Sequence, residues 1–299
     1  MPKERPDPNI LYVFHPEKDS TYVHFADAAA HPFTGDATSV VPRNAWWLAD
    51  AALLSYWDAD VALARFRSAG MAADALDVEG VQCYVSWTDS FVIVAFRGTE
   101  PDQWEDIFAD LDLPLVPHGQ GGRVHRGFKD YVERVWPRLR ARLDDLGPSR
   151  PVWFTGHSLG AALATLAADT YERTWAVCTF GSPRVGDQTF AAAFDKRFGR
   201  KALRFVNDGD IVTHVPPPLP LRYKHVGGLR HIRPDGSIAT TPPSIAHYFT
   251  DIFGDPRHQL EVVKALQSGV MKTPSHALLD HMPRAYAVDI WNDYLSGRT

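Results

Sequence analysis

The sequence contains few cysteines and no long apolar run. Cys83 and Cys178 are the only cysteines in 299 residues, and each lies inside an apolar run that predicts a strand. Two buried thiols are therefore a better interpretation than a disulfide, and no cysteine or histidine spacing is typical of a metal site. Because no uninterrupted stretch of about 18 apolar residues occurs, the sequence predicts no transmembrane segment.

The N-terminus lacks the apolar core of a secretory signal peptide. Its first residues, MPKERPDPN, carry charges and three prolines. Such a segment does not fit the pattern of a basic region followed by an apolar region that marks a signal peptide. The sequence therefore predicts a cytoplasmic protein, with secretion behind a removed leader as the alternative.

An excess of basic residues is also missing. The chain has 31 Lys and Arg against 36 Asp and Glu, a net charge of −5 at pH 7. Nucleic-acid-binding proteins usually carry a basic patch, so nucleic acid is not an expected partner. Neither a repeat nor a low-complexity linker interrupts the sequence. Residues 1–299 are therefore predicted to form one domain, in which residues 1–40 form an irregular N-terminal arm.

Apolar strands alternate with helical patterns over much of the chain, which predicts an α/β fold with a mostly parallel central sheet flanked by helices. Asn44 is predicted to cap the first long helix, and Pro137 to kink or break a later one. A hairpin is expected around residues 227–236. The predicted strands are 81–87, 91–97, 151–155, 175–181 and 202–207. The predicted helices are 44–57, 60–70, 127–146, 159–173, 187–198, 244–253, 257–268 and 282–295.

The stretch VWFTGHSLGAALATLAA, residues 152–168, places a serine between two glycines where a strand gives way to a helix. Such a turn is so tight that glycine is needed on both sides, and it presents the serine as a nucleophile. Gly156 and Gly160 would let the helix and the strand approach closely. A tight turn that merely contains a serine is the alternative, because the five-residue pattern alone has low specificity. We interpret Ser158 as a nucleophile.

A serine nucleophile needs a base to take its proton and an acid to orient that base. Asp208 and Asp210 both follow the predicted strand 202–207, and Asp210 is preferred because Asp208 fits turn chemistry in Asn-Asp-Gly. His281, at the start of the last predicted helix, is the leading base, but the residues alone leave this choice open. Seven histidines follow Asp210: His214, His225, His231, His247, His258, His276 and His281.

Six motifs occur in an order that resembles the class 3 lipases, the fungal-type triacylglycerol lipases of the α/β-hydrolase fold. The resemblance covers roughly residues 80–290 and, more weakly, the helix at 44–57. Six motifs in order are far more specific than one serine motif. They are AFRGTE (95–100), VHRGF (124–128), TGHSLGAALA (155–164), TFGSPRVGD (179–187), RFVNDGDIVTHVPP (204–217) and DHMPRAY (280–286).

The resemblance implies a role for five residues. Ser158 would be the nucleophile, Asp210 the acid and His281 the base. Thr99 and the backbone N–H of Leu159 would form the oxyanion hole, which stabilises the negative oxygen of an acyl tetrahedral intermediate. No metal or organic cofactor is implied. Four other polar residues are interpreted as structural: Arg97, Asp187, His157 and His214.

The family's lid follows the oxyanion loop, which here corresponds to residues 99–115. Four apolar residues of this stretch lie at helical spacing, and carboxylates fill the other positions. An amphipathic helix of this kind can expose its apolar face at a lipid–water interface. A surface helix docked permanently on the core is the alternative. The apolar residues are Trp104, Ile107, Phe108 and Leu111.

The implied function is a serine hydrolase that cleaves carboxylic esters of lipids, with triacylglycerols or other acylglycerols as leading substrates. A phospholipase, an esterase for soluble esters and an acyltransferase to alcohols are related alternatives. An alternative of another class is a lipase-like binding protein without catalysis. The leader and the disulfides of the secreted family members are absent from this sequence, which sets extracellular location in doubt.

Overall fold

The computed structural model describes most of the chain. Several sequence predictions lie outside the described residues: Thr99, Trp104, Ile107, Phe108, Leu111, the helices 244–253 and 257–268, and two of the seven histidines, His247 and His258. The described residues are 1–7, 9–98, 114–119, 121–216, 223–241 and 276–297.

The described strands form one large and one small sheet. They are β1 Ala72–Val78, β2 Val81–Trp87, β3 Val92–Phe96, β4 Leu115–Pro117, β5 Arg123–His125, β6 Val152–His157, β7 Thr174–Phe180, β8 Gly186–Asp187, β9 Ala202–Asn207, β10 Tyr223–Lys224, β11 Gly228–Ile232 and β12 Ile238–Ala239.

The large sheet has eight strands in the order β1-β2-β3-β6-β7-β9-β11-β12. The four central pairs, from β3–β6 to β9–β11, are parallel. The pairs at the two edges are antiparallel. The small sheet, β10-β8-β5-β4, is antiparallel throughout. The mostly parallel central sheet expected from the sequence is confirmed.

Helices cover both faces of the large sheet, as parallel central strands require. Successive residues of β6 show the two faces: Trp153 lies in the same buried cluster as Trp46 and Trp291, whereas Phe154 lies in the cluster that contains Val135 and Leu163. The helices are α1 Ile10–Phe14, α2 Pro42–Leu54, α3 Ala59–Ser68, α4 Arg126–Asp145, α5 Leu159–Thr170, α6 Gln188–Phe198, α7 His276–Leu279 and α8 Pro283–Ser296. Helices α2 and α8 therefore lie on one face, and α4 and α5 lie on the other.

Strands β3 and β6 are buried along their whole length, which explains the apolar runs 92–96 and 152–154 in the sequence. Cys83 in β2 and Cys178 in β7 are buried free thiols, as the sequence predicts. The expected hairpin is formed by β11 and β12, which pair antiparallel around Asp235-Gly236.

One local prediction is wrong, and one of the two alternatives for Pro137, a break, is excluded. Val41, not Asn44, precedes the first residue of α2, and Pro42 occupies the first helical position, where its missing N–H has no intrahelical acceptor to lose. The buried side chain of Asn44 instead exchanges two hydrogen bonds with the backbone of Thr34, at 3.0 and 2.8 Å. Helix α4 also continues through Pro137 without a break.

The N-terminal arm is fastened to α8. The Lys3 backbone N–H donates to Asn292 Oδ1 at 2.7 Å, and the Asn292 amide returns a hydrogen bond to the Lys3 carbonyl at 2.8 Å. Arg5 binds the buried carboxylate of Asp289 through two nitrogens, at 2.6 and 2.9 Å. Residues that show weak periodicity in the sequence are thus ordered by contacts with the far end of the chain.

Candidate active site

Ser158 occupies a sharp turn between β6 and α5. Its φ of 59° and ψ of −129° lie in a region that a residue with a Cβ rarely adopts, and its side chain is only 2% exposed. The backbone N–H of Ser158 donates to the Phe180 carbonyl at 3.0 Å, which ties the turn to the end of the neighbouring strand. The turn has the strand–turn–helix geometry of a nucleophile elbow.

The two glycines of the motif are required by close approach. A Cβ on Gly156 would lie 2.3 Å from the Gly160 carbonyl oxygen, and a Cβ on Gly160 would lie 2.3 Å from the Phe96 carbonyl oxygen. Both contacts involve backbone atoms, which cannot rotate away as a side chain can. The reason predicted for these glycines, close packing of helix against strand, is confirmed.

Asp210 and His281 meet in a fully buried contact. The Nδ1 atom of His281 lies 2.8 Å from Oδ2 and 2.9 Å from Oδ1 of Asp210, and both residues are 0% exposed. Asp210 follows β9, and His281 precedes α8. An ionised carboxylate only accepts hydrogen bonds, so this contact places a proton on Nδ1 and leaves Nε2 as the basic nitrogen.

Tyr286, a residue to which the sequence analysis gave no role, completes the surroundings of the carboxylate. Its hydroxyl donates to Asp210 Oδ2 at 2.5 Å and accepts the backbone N–H of Asn207 at 2.9 Å. Burial raises the pKa of Tyr286 well above its ordinary value, with the Asp210 carboxylate as the next cause, so the hydroxyl keeps its proton as a donor. The backbone N–H of Val212 donates to Asp210 Oδ1 at 2.9 Å.

The imidazole of His281 lies beside the residue that precedes the serine. The ring centroids of His157 and His281 are 4.3 Å apart and their planes are inclined by 35°. Gly181, which follows β7, leaves room at the same place: a Cβ there would lie 2.9 Å from His281 Cε1 and 2.8 Å from Asp210 Oδ2. Ser158, Asp210 and His281 thus gather where β6, β7 and β9 end.

Other described histidines have other surroundings. His225 Nε2 lies 2.8 Å from the Thr213 carbonyl oxygen, and His231 is buried in β11 with Nε2 3.4 Å from the Asp208 carbonyl oxygen. His214 closes a short 3₁₀ turn after Asp210, and burial lowers its pKa to about 4. The histidine that contacts the Asp210 carboxylate is His281.

A half-buried carboxyl, that of Asp280, precedes the base in the chain. Asp280 Oδ2 accepts the Gly209 backbone N–H at 3.2 Å. Burial raises the pKa of Asp280 to about 7, and the negative charges of Asp208 and Asp210 act in the same direction. Asp280 therefore changes charge in the neutral pH range beside His281.

Of the two residues expected to form the oxyanion hole, the structure describes Leu159 but not Thr99. Leu159 is buried and is the first residue of α5, so its N–H belongs to the first helical turn, whose N–H groups have no intrahelical acceptor. Thr99 lies outside the described residues. Gly98, just before it, packs against the turn, since a Cβ on Gly98 would lie 2.9 Å from the His157 carbonyl oxygen.

Arg97 and Asp187, for which the sequence predicts structural roles, both make hydrogen bonds within the fold. Arg97 donates to Gln82 Oε1 at 2.7 Å, and Asp187 caps α6 by accepting the Phe190 N–H at 2.9 Å. Within the described ranges, no cluster of three His, Cys, Asp or Glu residues could hold a metal ion. The helices of the same ranges include none that is long and apolar enough to span a membrane.

A cavity of about 530 Å³ lies on the face of the sheet that carries α2 and α8. Leu203 and Phe205 of β9 line it together with Ile290 and Asp293 of α8. Ser158, Asp210 and His281 do not line it. Its position shows that this cavity is separate from the place where those three residues gather.

Comparison with known proteins identifies relatives of the central part of the chain. Residues 93–219 match the family described as Lipase (class 3). The chloroplastic phospholipase A(1) DAD1 of Arabidopsis thaliana is 38% identical over 152 residues, which cover 42% of this chain and 33% of that protein. A secreted mono- and diacylglycerol lipase, LIP2 of Malassezia restricta, is 31% identical over 163 residues, 49% of this chain and 51% of that protein. The chain thus spans about a third to a half of these curated relatives.

Solved structures extend the likeness to the fold. The triacylglyceride lipase of Rhizomucor miehei has a TM-score of 0.54 and 27% identity, over 62% of this chain and 78% of that one. A fungal lipase–inhibitor complex, described as a model for interfacial activation in lipases, has a TM-score of 0.52 and 26% identity over the same shares. The fold class expected from the sequence motifs is confirmed.

Proposed function

We propose that this chain, which matches the class 3 lipase family over residues 93–219, hydrolyses carboxylic esters of lipids through an acyl-enzyme intermediate. The observation that carries the proposal is the buried contact of His281 with Asp210 beside the strained turn at Ser158. A nucleophile, a base and an orienting acid are the groups that such chemistry needs.

In this mechanism the Ser158 hydroxyl attacks the ester carbonyl carbon while Nε2 of His281 takes its proton. Asp210 holds Nδ1–H, which fixes the tautomer and stabilises the imidazolium that forms. The imidazolium then protonates the leaving alcohol, and the acyl group stays on Ser158. Water attacks the acyl-enzyme with the same base and releases the carboxylic acid.

The backbone N–H of Leu159 and Thr99 are the proposed donors to the oxyanion. The turn at Ser158 supports the first, because it places the beginning of α5 directly after the nucleophile. A preorganised donor of this kind stabilises the transition state by roughly 3–4 kcal/mol. The positive end of the α5 dipole favours the same negative charge.

Acylglycerols are the proposed substrates, and phospholipids are the second candidate. Relatives of both kinds support this pair, since one matched protein is a mono- and diacylglycerol lipase and another a phospholipase A(1). We propose that residues 99–115 act as a lid that meets the lipid–water interface through Trp104, Ile107, Phe108 and Leu111. The likeness to a lipase described for interfacial activation supports this part.

The proposal is tested with a fluorophosphonate, which reacts with an activated serine. We expect the parent protein to be labelled at one site and Ser158→Ala not to be labelled. Absence of labelling in a folded parent would favour the binding-protein alternative. Rates on emulsified triacylglycerol, phospholipid vesicles and a p-nitrophenyl ester would then rank lipase, phospholipase and esterase.

Location is tested separately. A cytoplasmic location is the expectation stated for the sequence, whereas the Malassezia relative is named as secreted. Fractionation of cells that express the full natural gene, with antibody detection in medium and cytoplasm, decides between the two.

A further inference from the structure

His157 and Tyr56 form a buried pair behind the candidate base. The hydroxyl oxygen of Tyr56 lies 2.9 Å from His157 Nδ1, and the His157 ring faces the ring of His281 at 4.3 Å. Both partners are almost fully buried, His157 at 1% and Tyr56 at 3% exposure. A histidine that only filled space would not need a polar partner on one side and the base on the other.

The pair is held in place from several sides. Tyr56 follows α2, whereas His157 ends β6. The chain at Gly98 fits tightly over the contact, because a Cβ on Gly98 would lie 1.9 Å from the Tyr56 hydroxyl oxygen. The Tyr56 hydroxyl contacts Nδ1 of the His157 ring, and the His281 backbone also interacts with this ring.

We infer that His157, oriented by Tyr56, is a positioning residue for His281: its neutral ring fixes the plane of the base and excludes water from that face. The inference rests on the proposed function, because it assigns a task in the proton transfer between Ser158 and His281. Asp210 binds one edge of the His281 ring, but a single edge contact leaves rotation about the ring axis to be restrained by packing.

The charges around the pair are consistent with a neutral His157. Burial lowers the pKa of His157 well below its ordinary value, and the charge of His281 acts in the same direction, whereas a hydrogen bond with the His281 backbone opposes both. Burial also raises the pKa of Tyr56 above the ordinary value, so the hydroxyl keeps its proton; Arg97 and Glu17 act on Tyr56 in opposite directions.

The groups that face the base from the other sides come from β9, the loop after it and α8. They are Asp210 at 2.8 Å from Nδ1 and Tyr286, whose hydroxyl binds Asp210 and whose ring lies 5.7 Å from that of His157. The carboxyl of Asp280, the preceding residue in the chain, interacts with the charges of Asp208 and Asp210. When His281 takes up the serine proton, its imidazolium then faces an uncharged ring on one side and a carboxylate on its edge. A protonated His157 would oppose that proton uptake by repulsion.

The test compares His157→Ala, His157→Phe and Tyr56→Phe, with Tyr84→Phe as the matched control. Tyr84 is a buried tyrosine whose hydroxyl donates to the Trp57 carbonyl at 2.7 Å instead of contacting His157. For each protein we would measure kcat and KM on a soluble p-nitrophenyl ester from pH 5 to pH 9, the fluorophosphonate labelling of Ser158, and Tm.

We expect His157→Ala to lower kcat at least tenfold with KM nearly unchanged, because loss of the ring frees the base to rotate. Water in the vacated space would favour the charged form of His281, so the acidic limb of the kcat/KM profile should move to higher pH. His157→Phe should keep the limb near that of the parent, since an uncharged aromatic face remains. Tyr56→Phe should lower kcat several-fold, and Tyr84→Phe should resemble the parent.

Two results would overturn the inference. One is a parent-like kcat in Tyr56→Phe, which deletes a single hydroxyl and remains informative if His157→Ala fails to fold. The other is an equal loss in His157→Phe and His157→Ala at equal Tm. Failure of the proposed function is a different observation, namely a folded parent that is neither labelled nor active.

Discussion

Asp210→Asn changes the candidate site by very few atoms and tests it directly. The carboxylate accepts hydrogen bonds from Val212 N–H at Oδ1 and from the Tyr286 hydroxyl at Oδ2, while His281 Nδ1 lies within 2.9 Å of both oxygens. Asparagine replaces one oxygen by an NH₂ group, which donates. In either orientation of the side chain, the amide nitrogen then faces a protein group that donates a hydrogen bond to the carboxylate in the parent.

The rate effect follows from the tautomer of the base. An NH₂ group directed at Nδ1 favours the imidazole whose proton is on Nε2, and that tautomer cannot accept the serine proton. The same change in the triad of a serine protease lowers kcat roughly 10⁴-fold. At about 1.36 kcal/mol per factor of ten, this corresponds to about 5 kcal/mol of lost transition-state stabilisation.

Stability should change much less than the rate. One buried donor left without an acceptor costs about 1–3 kcal/mol. In a protein of this size, each kcal/mol lowers Tm by about 2–4 °C. We therefore expect Asp210→Asn to remain folded at 25 °C, so that the loss of rate can be separated from loss of structure by measuring Tm on the same sample.

Asp208→Asn is the matched control. It makes the same chemical change two residues away. The backbone N–H of Asp208 donates to the Ile232 carbonyl at 2.8 Å, and the substitution does not alter this hydrogen bond. Its kcat on a p-nitrophenyl ester should stay within a few-fold of the parent. The reverse ranking would move the acid to Asp208, and small effects of both variants would refute a catalytic role for Asp210.

Three further variants test other parts of the site. His281→Ala should reduce kcat as severely as Ser158→Ala, and the double variant should be no worse, because triad members act as a unit; additive losses would contradict this. Asp280→Asn should raise Tm relative to the parent by an amount that grows between pH 4 and pH 8. The folded parent, with the pKa of Asp280 raised to about 7, holds this proton more tightly than the unfolded chain, so the parent loses stability as pH rises through that window. A pH-independent difference in Tm would refute this assignment. Trp104→Ala should slow turnover of an emulsified long-chain ester far more than of a soluble acetate ester, and equal losses would exclude the lid.

The central strands and the helix after the serine could be predicted because their signal is local. Strands β3 and β6 are buried on both faces, so β3 is entirely apolar and β6 begins with the apolar run 152–154. Helix α5 shows its apolar face at helical spacing. Observed and predicted bounds differ there by only a few residues: β6 is Val152–His157 against 151–155. A strand that is buried on both faces needs consecutive apolar residues, and this pattern can be recognised without knowing which distant residues pack against it.

The edge strand β1 and the strands of the small sheet show no continuous apolar run in the sequence. Residues 72–78, AADALDV, form β1 with half-buried and exposed positions, because the strand pairs with β2 on one side and lies at the edge of the sheet. The strands of the small sheet have two or three residues, too few to show a period of two. Their pairing depends on tertiary contacts, so residue patterns alone do not predict them.

The acid and the base illustrate the same limit at the site. Asp210 and His281 are 71 positions apart in the chain, and their contact depends on where α8 packs. From the residues alone, seven histidines remained candidates, and only the order of family motifs favoured His281. Tyr286 lies in the motif DHMPRAY, yet its hydrogen bond to Asp210 could not be anticipated because no local pattern encodes a contact across the fold.

Residues 1–40 had no role in the sequence analysis, and their contacts give them one. Lys3 and Arg5 bind Asn292 and Asp289 of α8, and Asp19 forms an ion pair with Arg284 near the beginning of the same helix. Helix α8 begins two residues after His281 and carries the tyrosine that binds the acid. A buried hydrogen bond depends on the positions of both elements that make it, so contacts that fix α8 also fix the geometry of the base. The arm therefore belongs to the structure that holds the candidate site, although it lies outside the residues that match the lipase family.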